Sequence, residues 1–265
     1  MLVRDLMHQG LITCSSDATL GEAAALLVEN RVHGVIVTNR EGAPLGVLSD
    51  TDLLAAEWVA SDVESLRAVR AMTAAELMSS PLVTIPAEAE ASEAAVRMRR
   101  EHLSRLVVTD RGAPVGVISV SDLVASLASG PIEPRTVGEV MSRGIVTCLP
   151  DTPVAAAARA MTARRSRSLV VVDRIGRPVG VLTGYDVIGL YEPEAHAETA
   201  GELMHPPLTI HPGASLREAA DRMIKHEVHR LVVIDESKTG MPVGIVSTSD
   251  IVLEMAQPGS SWRGQ

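Results

Sequence analysis

A hydroxyl residue followed three positions later by aspartate recurs as Ser49/Asp52, Ser119/Asp122, Thr183/Asp186 and Ser247/Asp250. Each pair follows a glycine and two apolar residues, as in Gly46-Val-Leu-Ser-Asp-Thr-Asp52 and Gly244-Ile-Val-Ser-Thr-Ser-Asp250. The pattern predicts a buried strand that ends at a helix N-cap. Ser or Thr is the cap, and the acid falls in the first turn. A helix start exposes unpaired N–H groups and partial positive charge, so it can hold an anion. Capping alone accounts for the same residues, since hydroxyl and acid together stabilise a helix start by about 1 kcal/mol.

A second set of chemically capable residues precedes a Val-rich strand in each copy. It reads His33-Gly34, Ser104-Arg105, Arg167-Ser168 and His229-Arg230. A guanidinium matches phosphate through its planar fork. The plain alternative is a solvated cation at a helix end. Other constellations are missing. His226-Glu-Val-His229 lacks the spacing that puts two zinc ligands on one helix face. The chain has no Gly-x-Ser-x-Gly, no phosphate-loop signature and no CxxC, so neither a catalytic set nor a metal site is expected. The basic run Arg164-Arg-Ser-Arg167 reads as a solvated helix end.

The elements that must position these residues form a repeat. Leu-Met or Val-Met occurs at residues 6–7, 77–78, 140–141 and 203–204, stepping by 71, 63 and 63 residues. The aspartates step by 70, 64 and 64. Two independent markers that keep the same spacing indicate four copies of one unit. Within each copy a short helix carries the Met. Next come a strand with Thr13, Thr84, Thr147 or Thr209, an amphipathic helix, the Val-rich strand, a Gly/Pro turn and the capped helix. The amphipathic helices opening at Thr19 and Ser215 each have Glu three positions on, a capping-box pattern.

The unit is thus β-α-β-β-α with a leading helical turn. About 60 residues bury too little core to stand comfortably alone, so pairs are expected. Residues 57–72 read as a helical connector. The Gly/Pro-rich 128–134 reads as the boundary between pairs, and 258–265 as an aperiodic tail.

Composition narrows the function. The 265 residues are 46% hydrophobic but only 2% aromatic, with no Phe, so the core must be Val, Leu, Ile, Ala and Met. A net charge of −9 and few aromatic platforms argue against a nucleic-acid binder. No stretch has the length of a membrane span, and the charged N-terminus is unlike a signal peptide. The expected location is the cytoplasm, with Cys14 and Cys148 as small reduced core residues.

The four copies resemble CBS (cystathionine-β-synthase) motifs in the Leu-Met lead, the Val-rich strand and the Gly-h-h-Ser/Thr-x-x-Asp ending. The resemblance implies four motifs, at 1–57, 73–129, 136–192 and 199–257, paired into two Bateman modules, 1–130 and 131–257. It implies an α/β fold and clefts for an adenosine ligand: AMP, ADP, ATP or S-adenosylmethionine, with or without Mg. Asp52, Asp122, Asp186 and Asp250 would accept from ribose hydroxyls, since a carboxylate offers several acceptor positions. Ser49, Ser119, Thr183 and Ser247 would contact phosphate, and Thr13, Thr84, Thr147 and Thr209 would lie near the base, although strand propensity also explains the threonines. His33, Arg105, Arg167, His229 and Arg230 would reach phosphates held by the other motif of a pair. The expected partnerships are Thr183 and Asp186 with His229 and Arg230, Ser49 and Asp52 with Ser104 and Arg105, Asp250 with Arg167, and Asp122 with His33. Gly34 departs from the basic pattern, so its cleft should hold phosphate least well unless His33 compensates.

The resulting expectation is a cytosolic, non-catalytic adenine-nucleotide sensor that changes module arrangement for a protein partner. The modules would close into an intrachain disc or pair in a homodimer. The rivals are an interaction protein with empty clefts, an S-adenosylmethionine module, and an enzyme or carrier using one cleft.

Overall fold

The computed structural model describes residues 1–57, 63–126, 135–191, 197–235, 237 and 240–257. The first motif runs α1 (Val3–Leu6), β1 (His8–Gln9), β2 (Thr13–Ser15), α2 (Leu20–Glu29), β3 (Gly34–Thr38), β4 (Pro44–Ser49) and α3 (Asp50–Glu57), followed by α4 (Val63–Arg70). The second is α5 (Ala74–Leu77), β5 (Thr84–Pro86), α6 (Ala91–Glu101), β6 (Arg105–Asp110), β7 (Ala113–Ser119) and α7 (Val120–Ala125). The third is α8 (Val137–Val140), β8 (Thr147–Cys148), α9 (Val154–Ala163), β9 (Ser168–Val172), β10 (Pro178–Thr183) and α10 (Gly184–Ile188). The fourth is α11 (Ala200–Leu203), β11 (Thr209–Ile210), α12 (Leu216–Lys225), β12 (Arg230–Ile234), β13 (Pro242–Ser247) and α13 (Thr248–Met255). This is the expected α/β order, and α4 occupies part of the expected helical connector. The expected module boundary and the tail lie outside the described residues.

Each motif builds one small sheet. Its first strand runs parallel to the middle strand, with the amphipathic helix as crossover, and the third strand returns antiparallel. The other two motifs repeat the arrangement. Middle strands carry three consecutive buried residues, as at Val35, Ile36 and Val37, which is the pattern of a strand covered on both faces. Third strands alternate, with Gly46 and Leu48 buried between half-buried neighbours. The hairpin turn needs a left-handed residue, and glycine supplies it at Gly42 and Gly112, with φ of +79° and +83°.

The leads are exchanged. Residues of the first motif's lead, β1, add an edge to the second motif's sheet, with His8 opposite Val117 and Gln9 opposite Gly116. The second motif's lead returns the exchange through a bridge between Ser79 and Val47. The third and fourth motifs do the same through Ser142 with Ile245 and His205 with Val181. In each case the lead joins the sheet of the motif next to it in the chain.

Two compact units result, neither of them a continuous stretch: Met1–Leu11, Val83–Ile145 and Pro207–Gln265 form one, and Ile12–Leu82 and Val146–Pro206 the other. In the first unit one apolar cluster joins the second and fourth motifs with leads α1 and α8, and α7 packs on α13. In the second unit α3 packs on α10, and each motif sends a side chain into the other's core. Leu54 of α3 belongs to the cluster around the third motif, and Ile188 of α10 to that around the first.

Candidate functional site

The capping box forms at all four acidic helix starts. In the third motif the Thr183 N–H and hydroxyl both donate to Asp186 Oδ2 at 2.7 Å, and the Asp186 N–H returns to Thr183 Oγ1 at 3.3 Å. Ser119 with Asp122 and Ser247 with Asp250 repeat this within 0.1 Å. In the first motif Ser49 donates to Asp52 Oδ2 at 2.8 Å from its N–H and 2.6 Å from its hydroxyl. One carboxylate oxygen in each motif is thus engaged twice by its own cap. A diol arriving at any of these acids must use Oδ1.

In three motifs Oδ1 meets the exchanged lead. His8 Nε2 lies 2.9 Å from Asp122 Oδ1, and His205 Nε2 lies 2.9 Å from Asp186 Oδ1. At Asp250 the equivalent lead residue is Ser142, whose hydroxyl stands 3.5 Å from Oδ1. At Asp52 it is Ser79. These four residues follow the lead methionines directly. In sequence their place directly after the lead Met is what they share.

The basic positions come to the same place. In every motif the first helical N–H donates to the carbonyl of the residue before the middle strand: Asp50 to His33, Val120 to Ser104, Gly184 to Arg167 and Thr248 to His229, at 2.9–3.3 Å. Strand register then sets Arg105 opposite Ser119 and Arg230 opposite Ser247, with Gly34 opposite Ser49 and Ser168 opposite Thr183. Each motif therefore gathers hydroxyl, acid and its own basic residue or the glycine or serine in its stead. The expected partnerships across a pair each draw one residue from either compact unit.

Two histidines have further company. His33 Nδ1 is 2.8 Å from Asp50 Oδ2, and its ring lies 4.8 Å from that of Tyr185, whose hydroxyl donates to the Leu27 carbonyl. An acid at position 50 thus meets the imidazole expected to compensate for Gly34. His229 Nδ1 is 3.1 Å from Ser121 Oγ. Burial pushes the Tyr185 hydroxyl up, helped by Asp50. Burial also pushes the Asp250 carboxyl up, against the lowering pull of Ser247, Ser142 and the nearby Arg230.

Thr13, Thr84, Thr147 and Thr209 each begin the first strand of a motif, opposite Ile36, Val107, Val170 and Val232 of the middle strands. In the second motif the Arg97 guanidinium donates to the Thr84 carbonyl at 2.6 Å, and Arg222 does the same for Thr209 in the fourth. Cys14 and Cys148 are unbridged, and burial raises both thiols. Among the described residues no cluster of His, Cys, Asp and Glu could hold a metal ion, and no helix is long and apolar enough to cross a membrane.

Known proteins resemble this chain in sequence and in fold. The protein MJ1404 of Methanocaldococcus jannaschii is 26% identical over 96% of this chain, which spans 62% of that protein. The 5'-AMP-activated protein kinase subunit gamma-3 of Sus scrofa is 29% identical over 65% of the chain, which matches 37% of its length. The crystal structure of protein MJ1225 from Methanocaldococcus jannaschii superposes with a TM-score of 0.82 at 19% identity, covering 95% of this chain and 99% of that one. The chain thus spans less than two thirds of the length of these curated relatives. The family model for the CBS domain matches residues 3–58, 74–129, 137–192 and 200–257, so the chain belongs to the CBS domain family and carries four copies of the domain.

Proposed function

We propose that the chain is a non-catalytic sensor of an adenosine compound, AMP being the first candidate. The observation that carries the reading is the convergence in each motif of a capped acid with the strand start that bears the basic residues. In the fourth motif the set is most complete: Ser247, Asp250, Arg230 and His229 stand together. In this reading the four aspartates meet sugar hydroxyls. The capping hydroxyls and His33, Arg105, Arg167, His229 and Arg230 meet phosphate, and the first-strand threonines flank the base. The name of the gamma-3 relative, a subunit of a kinase activated by 5'-AMP, points to the same ligand class. A bound ligand reports itself by favouring one arrangement of the motifs, by no more than its affinity difference between arrangements.

A thermal-shift series with AMP, ADP, ATP with Mg, and S-adenosylmethionine tests the reading. Ligand at a hundred times its dissociation constant stabilises by about 2.7 kcal/mol. The expected result is a shift with at least one of the four, diminished in Asp250→Ala and Asp186→Ala. No shift with any of them overturns it. The second reading, an interaction protein with empty clefts, draws on the full engagement of Oδ2 by the caps, and it is what a flat series would favour.

A further inference from the structure

His8 and His205 belong to leads that have crossed into the neighbouring motif, and each ends on the one carboxylate oxygen the cap leaves over. A carboxylate only accepts, so Nε2 carries the hydrogen in both contacts. The histidines are 83% and 70% exposed, while Asp122 and Asp186 are 10% and 12% exposed. Each acid is thus covered by a ring that itself stands mostly in solvent. At the equivalent places in the first and fourth motifs stand Ser79 and Ser142, which carry no ring. Each compact unit therefore holds one acid under an imidazole and one whose neighbouring lead offers a serine in the equivalent place.

We infer that His8 and His205 set the ligand affinity of the sites at Asp122 and Asp186 by occupying the oxygen that a sugar diol must use. The inference rests on the adenosine-binding reading above. Two of the four sites are then intrinsically weaker, and the weakness resides in the lead of the neighbouring motif rather than in the acid's own motif. A diol at Asp250 meets only the Ser142 hydroxyl, 3.5 Å from Oδ1, and at Asp52 the lead residue is Ser79, so neither lead sets a ring there. At Asp122 or Asp186 it must first turn the imidazole out, and the exposure of both rings leaves room to do so. A hydrogen bond from a ring that stands mostly in solvent contributes little net free energy, so the competition weakens binding by up to about fivefold.

Two measurements on the full chain test this. The first needs no ligand. With histidine side chains labelled with nitrogen-15, Asp122→Asn should move the His8 ring resonances and Asp186→Asn those of His205, each leaving the other unmoved. Unmoved resonances overturn the pairing. The second is calorimetric titration with AMP. His8→Ala with His205→Ala should tighten the weaker class of sites up to about fivefold and leave the tighter class unchanged. His8→Gln with His205→Gln, which keeps a donor, should restore wild-type affinity. Equal or weaker binding in the alanine pair overturns the competition, weaker binding meaning that the rings hold the ligand. If AMP binds no form of the chain, the adenosine reading fails and the competition with it, while the resonances still decide whether the pairing exists.

Discussion

Met204 of the fourth motif rests on the bare Cα of Gly180 in the third. A Cβ added at Gly180 would meet the Met204 Sδ, and would lie 2.7 Å from its Cγ and 2.8 Å from its Cβ. The same contact joins Met78 to Gly46, Met7 to Gly116 and Met141 to Gly244. The lead methionine and the glycine that opens each Gly-h-h-Ser/Thr-x-x-Asp stretch are therefore the two halves of one joint, made each time between different copies. The lead methionine needs a glycine beneath it, and the exchanged backbone bridge runs alongside.

Gly180→Ala and Gly116→Ala should each destabilise by about 1–3 kcal/mol, the usual cost of overfilling a packed contact. Gly116 should be the worse of the two, because its new Cβ meets the His8 backbone oxygen, which cannot rotate away as a methionine sulfur can. Urea unfolding of the two variants measures the order.

Helix caps should rank by completeness. Thr19 caps α2 with a full box: its N–H donates to Glu22 at 2.7 Å and the Glu22 N–H returns to its hydroxyl. At α12 the Ser215 hydroxyl accepts from the Glu218 N–H, but the Glu218 carboxylate lies 3.6 Å from Arg222 instead of reaching back to Ser215. The box expected there is thus half formed. Thr19→Ala should cost about 1 kcal/mol, as other capping losses do. Glu22→Ala should lower the melting temperature more than Glu218→Ala, which calorimetry can read directly.

Acid should unfold the protein from the caps outward. Hydrogen bonds from Thr19, Thr73 and Thr136 hold the carboxyls of Glu22, Glu76 and Glu139 below the ordinary 4.5, and Glu198 and Thr199 do so for Glu202. A depressed native pKa means the unfolded chain takes up protons first. The stability these groups add is present above about 4.5 and is lost as pH falls through their lowered values. Chemical denaturation between pH 3 and 7 should show that decline, and Glu76→Gln with Glu139→Gln should flatten it.

Asp250 should behave in the opposite sense. Burial raises its carboxyl above 3.8, so its native form is stabilised while protonated and the contribution is lost as pH rises through the raised value. Asp250→Asn removes the ionisation. Its stability relative to the parent should therefore grow from low pH towards neutrality, while AMP binding at this motif falls. A parent that gains on the variant as pH rises would contradict the direction assigned here.

Leu54, 4% exposed, lies in the apolar cluster of the third motif although it belongs to the first. Leu54→Ala should cost about 2–5 kcal/mol, with the loss shared by both motifs of its unit. Hydrogen exchange should quicken in β9 as well as in β3. Exchange that quickens in β3 alone would mean the two motifs melt separately.

Much of this arrangement was legible from the residues alone. Gly-h-h-Ser/Thr-x-x-Asp placed each cap, and the caps form where Ser119, Thr183 and Ser247 put them. The Val-rich runs marked the middle strands, which the fold then buries on both faces. His8 and His205 escaped notice because their partners, Asp122 and Asp186, lie 114 and 19 residues away in other motifs. Nothing in their own neighbourhood distinguishes them from solvated side chains.

Sequence by itself determined the repeat, the order of elements and the capped acids, because those depend on spacing and hydrogen bonds within a few residues. It could not say which copy's lead would complete which sheet. Duplicated motifs share nearly the same local preferences, so every lead suits every sheet about equally at that level. Tertiary packing decided it, through methionine on glycine and a backbone bridge, and in doing so settled which acid lies under an imidazole and which has a serine in the lead's equivalent place.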